Sequence, residues 1–390
     1  MSPDAGGAGG GALGGLGDIG GTGAGGSGAF DGGSLVCPIG HQVVACAPSP
    51  VGLGVALPAA GGGAFVSYLD AEGTAAVESW DATAGAWRVI LSDRPFGPNL
   101  SPYVLRVDSQ GRAVVAKVFM ADNGTGGVYV AQFDGLQWTS LAGGAPFAAR
   151  DGLEGYDLAI DALDRPVLLL TTPGDSFDGQ LSVRRWEAGA WTRLDTGAIN
   201  AMPAAYARLT IDSGDGVTPY VAYKPQSALE TIVPMKLAGD SWTALPALTR
   251  GLNGDFDFAV AGGQMYVSYV DGATVDDARL SVAQGTPAGW SPGERLDAEI
   301  DRPVYATRIL AVGPAASDVV VAWEATYPAS GLDQVLIKRA PDWARVPDVL
   351  PLASGDMAGF AIAADPARIG VVWVNRAATP ESVGYLERAR

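Results

Sequence analysis

The residues able to do chemistry are few in this chain. The single histidine, His41, lies four residues after Cys37, and no Cys-x-x-Cys spacing occurs. Because a serine or cysteine nucleophile needs a base beside it, a Ser–His–Asp arrangement is hard to build here. The glycine clusters contain no G-x-x-x-x-G-K-[ST] phosphate loop. We therefore expect no catalytic residues, and a hydrolase or lyase with an unrecognised site stays an alternative.

The two cysteines, Cys37 and Cys46, are nine positions apart. A disulfide closing a short loop is the preferred interpretation, and it implies an oxidising compartment. Two unpaired buried thiols and a metal site are the alternatives.

Acidic loops are the other candidate metal ligands, at Asp175–Gly179, Asp255–Asp257 and Asp276–Asp277. Calcium takes about six to eight oxygen ligands, and the EF-hand pattern D-x-D-x-D-G is absent. We expect solvated carboxylates and no cofactor, with calcium as the alternative.

Charge and hydropathy exclude several partners. The chain has 25 basic and 42 acidic residues, for a net charge of −17. A protein that neutralises phosphates needs the opposite sign, so neither nucleic acid nor an anionic membrane surface is expected as a partner. No run of about 18 apolar residues occurs, so the domain is not expected to insert into a membrane.

The first 34 residues include sixteen Gly, three Asp and no Lys or Arg. Such a segment cannot bury enough apolar surface to offset its ordering entropy, so we predict a flexible tether over 1–34 and a single folded domain over 35–390. The opening Ser2–Gly7 resembles the residues that follow the lipidated cysteine of secreted bacterial lipoproteins. The resemblance implies a lipid anchor upstream of Ser2 and an extracytoplasmic location, on the cell surface or secreted.

A unit of about fifty residues repeats along the rest of the chain, and a tryptophan that is predicted to open the fourth strand of the unit marks it most clearly. The spacings are 51, 53, 51, 48 and 53 residues between Trp87, Trp138, Trp191, Trp242, Trp290 and Trp343. Each unit contains four short runs rich in Val, Ile, Leu, Tyr and Trp, separated by turn residues. Four short strands per fifty residues are typical of a propeller blade. A β-sandwich or a string of small β domains does not predict tryptophan at the same phase six times.

The count of units predicts how the ring closes. Six complete units cover roughly residues 52–350, and a seventh, over 359–386, lacks a fourth strand. An extra strand-like run, Gln42–Cys46, belongs to no unit. Because open sheet edges are a liability, we predict an all-β, seven-bladed β-propeller with four-stranded blades, in which this N-terminal strand completes the last blade.

The clearest copies read LAID at 158–161, LSVRRW at 181–186 and WTRL at 191–194. They resemble the repeats of secreted bacterial β-propeller proteins over about 340 residues, from 42 to 386. The resemblance implies the fold and leaves binding, adhesive, scaffolding and enzymatic roles open. The Asp ending each first strand (Asp108, Asp161 and Asp212) is expected to cap a tight turn.

An aromatic residue precedes the first strand in most units, with arginine in the loop before it. Aromatic platforms beside arginine suit sugars or peptide ends, and packing between blades is the alternative. The candidate ligand-binding residues are Tyr103, Tyr156, Tyr206, Phe256, Tyr305, Arg150, Arg250 and Arg302. The expected function is a surface-tethered module that binds a glycan or a protein, and a structural scaffold of the cell surface is the alternative.

Overall fold

A computed structural model gives the fold. It describes residues 43–46, 51–58, 62–69, 75–91, 103–120, 126–141, 147–149, 155–172, 179–194, 199–249, 255–272, 278–297, 304, 306–327, 332–345, 347–350, 357–376 and 381–389. The predicted tether over 1–34 lies outside these ranges.

Seven antiparallel sheets follow one another along the chain. Blade 1 contains β2 (Val51–Ala56), β3 (Phe65–Leu69), β4 (Ala75–Asp81) and β5 (Ala86–Leu91). Blade 2 contains β6 (Val104–Val107), β7 (Ala113–Met120), β8 (Gly126–Phe133), β9 (Trp138–Ser140) and β10 (Phe147–Ala149). Blade 3 contains β11 (Gly155–Ile160), β12 (Pro166–Thr172), β13 (Gln180–Glu187) and β14 (Ala190–Arg193).

The remaining blades repeat this order. Blade 4 contains β15 (Ala204–Ile211), β16 (Pro219–Pro225), β17 (Thr231–Ala238), β18 (Ser241–Ala244) and β19 (Leu248–Thr249). Blade 5 contains β20 (Phe256–Ala261), β21 (Gln264–Asp271), β22 (Arg279–Thr286), β23 (Gly289–Trp290) and β24 (Glu294–Arg295). Blade 6 contains β25 (Thr307–Ala311), β26 (Val319–Tyr327), β27 (Leu332–Arg339) and β28 (Asp348–Val349). Blade 7 contains β29 (Met357–Ala364), β30 (Arg368–Asn375) and β31 (Ser382–Ala389), and its fourth strand is β1 (Val43–Cys46).

Each of the seven hydrophobic clusters joins two neighbouring blades, which shows that the sheets form a ring. One cluster combines Leu105 and Val115 of blade 2 with Phe65 and Val77 of blade 1. The remaining clusters lie between blades 2 and 3, 3 and 4, 4 and 5, 5 and 6, and 6 and 7, and between blades 7 and 1. The second strands are apolar without alternation because each of their faces packs on a neighbouring blade; all seven residues of β16 are buried.

The N-terminal strand closes this ring as the sequence predicts. β1 pairs antiparallel with β31, with Val43 opposite Gly384 and Cys46 opposite Ser382. Arg368 of blade 7 also donates to the carbonyl oxygens of Pro58 (3.0 Å) and Gly62 (2.9 Å) in blade 1. The seven-bladed propeller and its borrowed outer strand are therefore confirmed.

Five of the six repeated tryptophans lie in outer strands, and the sixth corrects the prediction. Trp343 lies between β27 and β28 and does not open a fourth strand. Its side chain is buried in the cluster between blades 5 and 6. Trp343 therefore still packs between two blades, although the short fourth strand β28 begins five residues after it.

The helical structure among the described residues is one 3-10 turn at Ala316–Asp318. No helix in this part of the chain is long and apolar enough to cross a membrane.

Candidate functional site in the central channel

The first strand of every blade is the innermost one, and these strands surround the central channel. Neighbouring first strands contact one another around the ring, including β29 and β2 across the closure. We call the face on which they begin the entry face and the face on which they end the exit face. Their inner edges leave backbone groups without a strand partner, so side chains must satisfy them.

Charged residues alternate in sign on five consecutive innermost strands. One lies on each of blades 2 to 6, in the order Arg106, Asp157, Arg208, Asp257 and Arg308. Arg106 pairs with Asp157 across the first of these boundaries, with Nη2 3.2 Å from Oδ1. The channel wall is therefore an array of ion pairs between blades.

Two of the carboxylates also cap the free edge of the next blade. Asp157 accepts a hydrogen bond from the backbone N–H of Leu209 in blade 4 (3.0 Å). Asp257 accepts one from Ile309 in blade 6 (2.9 Å). Burial raises the pKa of Asp257, and the opposing effect of Arg208 and Arg308 is smaller.

A second carboxylate of blade 5, Asp255, joins two arginines on either side of it. Its Oδ1 lies 3.2 Å from Nη2 of Arg208, and its Oδ2 lies 3.0 Å from Nη1 of Arg308. Each arginine also donates to the carbonyl of its own preceding residue, Ala207 or Thr307. These contacts hold both guanidinium groups at the start of the innermost strands, which is the entry face.

Lys224 adds a buried amine to the same place. It lies opposite Tyr206 across β15 and β16, so both side chains lie on the same face of the sheet. Its Nζ is 5.5 Å from the centre of the Phe256 ring, and the guanidinium carbon of Arg208 is 5.6 Å from that centre. Burial lowers the pKa of Lys224 to about 8, against the favourable charge of Asp255. We call Arg208, Lys224, Asp255, Asp257 and Arg308 the entry network.

The structure places the predicted ligand-binding residues in three ways. Tyr103 and Phe256 are buried between blades, which is the packing alternative. Tyr156 and Tyr206, on the innermost strands β11 and β15, are half-buried and pack against the clusters between blades 2 and 3 and between blades 4 and 5. Four residues lie outside the described ranges: Tyr305, Arg150, Arg250 and Arg302. A ligand-binding role for the eight residues stays a prediction. The burial of Tyr103 and Phe256 does not support it for those two.

Sequence reasoning missed the arginines of the channel wall and Asp157, and it named Asp255 and Asp257 only as acidic-loop carboxylates. A signal was present, because Asp157, Arg208, Asp257 and Arg308 recur at spacings of 51, 49 and 51 residues. The change of sign from one unit to the next hides this recurrence from a search for identical residues. Lys224 has no counterpart in the other units and could not have been found in this way.

Carboxylates at the exit face accept hydrogen bonds from the backbone of the turns there. Asp108 and Asp161 each accept the backbone N–H two residues ahead, both at 3.0 Å, and pair with the arginine four residues ahead. Asp212 accepts N–H groups from Gly214 (2.9 Å) and Gly263 (3.1 Å). The prediction that these three residues cap turns is confirmed.

A cavity of about 270 Å³ opens at this exit face. Its lining includes the final residues of four innermost strands: Val107, Ile160, Ile211 and Ala311. The hydroxyl of Ser213 in blade 4 donates to the carbonyl of Gly313 in blade 6, which is two blades further along the ring. The contact joins the turns of blades 4 and 6 directly at this end.

Metal ligands are not brought together in the part of the chain that the structure describes. No group of three or more His, Cys, Asp or Glu side chains could hold an ion there. Asp255 and Asp257 are instead paired with arginine. The acidic residues 175–178 and 276–277 and the first cysteine, Cys37, lie outside the described residues, so the calcium alternative and the Cys37–Cys46 disulfide stay predictions.

No protein-family profile and no curated protein sequence matches the chain. Solved structures do match it. The chain covers 96% of the β-propeller domain of the Trilobed protease from Pyrococcus furiosus, with a TM-score of 0.54, 11% identity and 86% of this chain aligned. The fold is shared with β-propellers.

Two further propeller structures match at similar levels. A mutant of AofleA from Arthrobotrys oligospora gives a TM-score of 0.51 at 10% identity, covering 82% of this chain and 90% of that one. The Aleuria aurantia lectin, described as a six-bladed propeller with a fucose recognition mode, gives 0.50 at 13% identity, covering 79% and 98%. Identities this low show the fold alone.

Proposed function

We propose that this protein is an extracytoplasmic, surface-tethered binding module for a glycan or protein ligand, and that the ligand is held at the entry network. The observation that supports the site is the arrangement of Arg208 and Arg308 on either side of Asp255. Both guanidinium groups are fixed in position and partly exposed to the channel. Donors that are already oriented lose little entropy when a ligand binds.

The same network is poorly suited to general acid–base catalysis. Burial raises the pKa of Asp257, but both of its oxygens accept backbone N–H groups, from Phe258 (3.0 Å) and Ile309 (2.9 Å). Both oxygens of Asp255 are occupied by arginine. A general base must lie within hydrogen-bond reach of the substrate proton, and oxygens held by these donors are poorly placed for that role, which favours binding over hydrolysis or lysis.

Comparison with other propellers supports this proposal only through the fold. The Aleuria aurantia lectin is described by its recognition of fucose, so a propeller of this general shape can present a sugar-binding site. Function resides in particular side chains and not in the fold. The entry network is therefore the part of the proposal that experiment must test.

The extracytoplasmic location rests on the sequence. A glycine-rich segment over 1–34 and two cysteines nine positions apart suit a tethered domain in an oxidising compartment. Intact mass measured after alkylation, with and without reductant, tests this location. Two alkylated cysteines in unreduced protein exported from a bacterial host would count against it.

A glycan array probed with labelled protein, followed by calorimetric titration of any hit, tests the binding function. Arg208→Gln and Asp255→Asn should each weaken a true ligand at least about tenfold, because each leaves a polar partner unmatched. Arg88→Gln on the exposed outer strand β5 is the matched control and should bind like the wild type. Absence of binding to glycans, together with polymerisation or co-purification with an envelope partner, would favour the scaffold alternative.

A further inference from the structure

The entry network has a surplus of positive charge in a strongly acidic protein. It contains three cations (Arg208, Lys224 and Arg308) and two carboxylates (Asp255 and Asp257). The neighbouring pair Arg106–Asp157 adds one charge of each sign. These seven residues therefore sum to +1, whereas the chain as a whole carries −17.

The two arginines of this network are also more exposed than its carboxylates. The side chains of Arg208 and Arg308 are 30% and 34% exposed, whereas those of Asp255 and Asp257 are 15% and 16% exposed. The acceptor oxygens of both carboxylates are already engaged by arginine or backbone N–H groups. A ligand therefore meets donors in excess over acceptors.

Arg308 supplies the clearest unused donors. Its Nη1 bonds to Asp255 and to the carbonyl of Thr307. Within the described ranges, its Nε and Nη2 donate to no residue. Guanidinium N–H groups of this kind match a planar carboxylate, and a bond between two charged groups is stronger than one to a neutral acceptor.

We propose, on the basis of the binding function above, that the entry network recognises the carboxylate of an acidic sugar through Arg308 and Arg208. The half-buried Tyr206 lies two residues before Arg208 on β15, so the two side chains share one sheet face, where Tyr206 also packs against the cluster between blades 4 and 5. An aromatic side chain beside a carboxylate-binding group suits the C–H face of a pyranose ring, which favours a sugar over a peptide end.

Matched ligands test this inference on the wild-type protein. Calorimetric titration compares methyl glucuronoside, its C6 amide and methyl glucoside, which differ only at C6. The acid should bind at least tenfold more tightly than the amide and the glucoside. Equal binding of the three would overturn the carboxylate inference and leave the binding module standing. Failure of all three and of every acidic glycan on the array would overturn the carboxylate inference, whereas a protein ligand would leave the binding module standing.

Two variants of Arg308, with Arg88→Gln as the control, connect the acid-over-amide preference to Arg308. Arg308→Gln should remove most of the acid-over-amide preference, Arg308→Lys should keep part of it, and Arg88→Gln should keep all of it. An unchanged preference in Arg308→Gln, in a variant whose melting temperature shows that it is folded, would overturn the inference. A peptide with a free C-terminal carboxylate is titrated beside its C-terminal amide. Tighter binding of that acid than of the glucuronoside would overturn the assignment to a sugar.

Discussion

Trp138 in blade 2 donates its indole N–H to the carbonyl of Ile90 in blade 1, at 2.9 Å. The same bond recurs between later blades, from Trp191 to Leu141, from Trp242 to Leu194 and from Trp290 to Pro246. Each bond connects an outer strand to the end of the preceding blade. The tryptophan spacing therefore equals the length of a blade because the indole must reach the same place in each neighbour.

Replacing Trp138 or Trp242 with Phe keeps an aromatic ring and removes this bond. We expect each change to lower the free energy of unfolding by about 1 kcal/mol, the usual net value of such a hydrogen bond, plus a smaller packing loss. Urea denaturation measures the effect. Trp186→Phe is the control, because Trp186 packs on Trp191 within its own blade. Equal losses in all three variants would show that ring size alone matters.

The carboxylates that cap neighbouring inner strands should contribute more to the free energy of unfolding than the tryptophan hydrogen bonds do. Asp157→Asn and Asp257→Asn each leave one acceptor facing two backbone N–H groups, and each removes a charge that pairs with arginine. The expected cost is about 1–3 kcal/mol for each change. Chemical denaturation is the measurement, and the exposed Asp342→Asn should change stability by less than about 0.5 kcal/mol.

Lys224 should make stability depend on pH in a defined window. Burial lowers its folded-state pKa to about 8 from the ordinary 10.5. Between these values the unfolded chain binds more protons than the folded one, so stability rises with pH. Below pH 8 both states are protonated and the cost of burying the charge is fully present.

Comparison with Lys224→Met isolates this effect. The stability of the wild type relative to the variant should rise by about 2 kcal/mol between pH 7 and pH 9.5, as the shift of Lys224 requires. Urea denaturation at each pH measures the difference. A difference that does not change with pH would mean that the amine stays solvated in the folded protein.

The closing strand should be essential to the ring. Val44 of β1 is buried in the cluster between blades 7 and 1. Val44→Asp places a charge there and should cost several kcal/mol, with faster cleavage by thermolysin. Val89→Asp on the outer strand β5 is the control, because Val89 is 50% exposed. Equal protease resistance of the two variants would contradict a structural role for β1.

Local sequence was sufficient to predict the strands and their turns. Asp108 and Asp161 cap their turns through groups no more than four residues away. The blade count also follows from the sequence, because each repeat supplies one sheet with its own apolar strands. Even the closing strand was predictable, since a seventh unit without a fourth strand needs a partner for its edge.

The sequence by itself thus determined the repeat, the blade and the closure, all of which depend on contacts within a unit of about fifty residues or on counting such units. Only the tertiary structure decided which charged residues meet. Arg208 and Arg308 are 100 positions apart, and both reach Asp255 because successive blades pack side by side and bring their innermost strands together. Charge pairing of this kind depends on the distance across a blade boundary, which no local pattern of residues encodes.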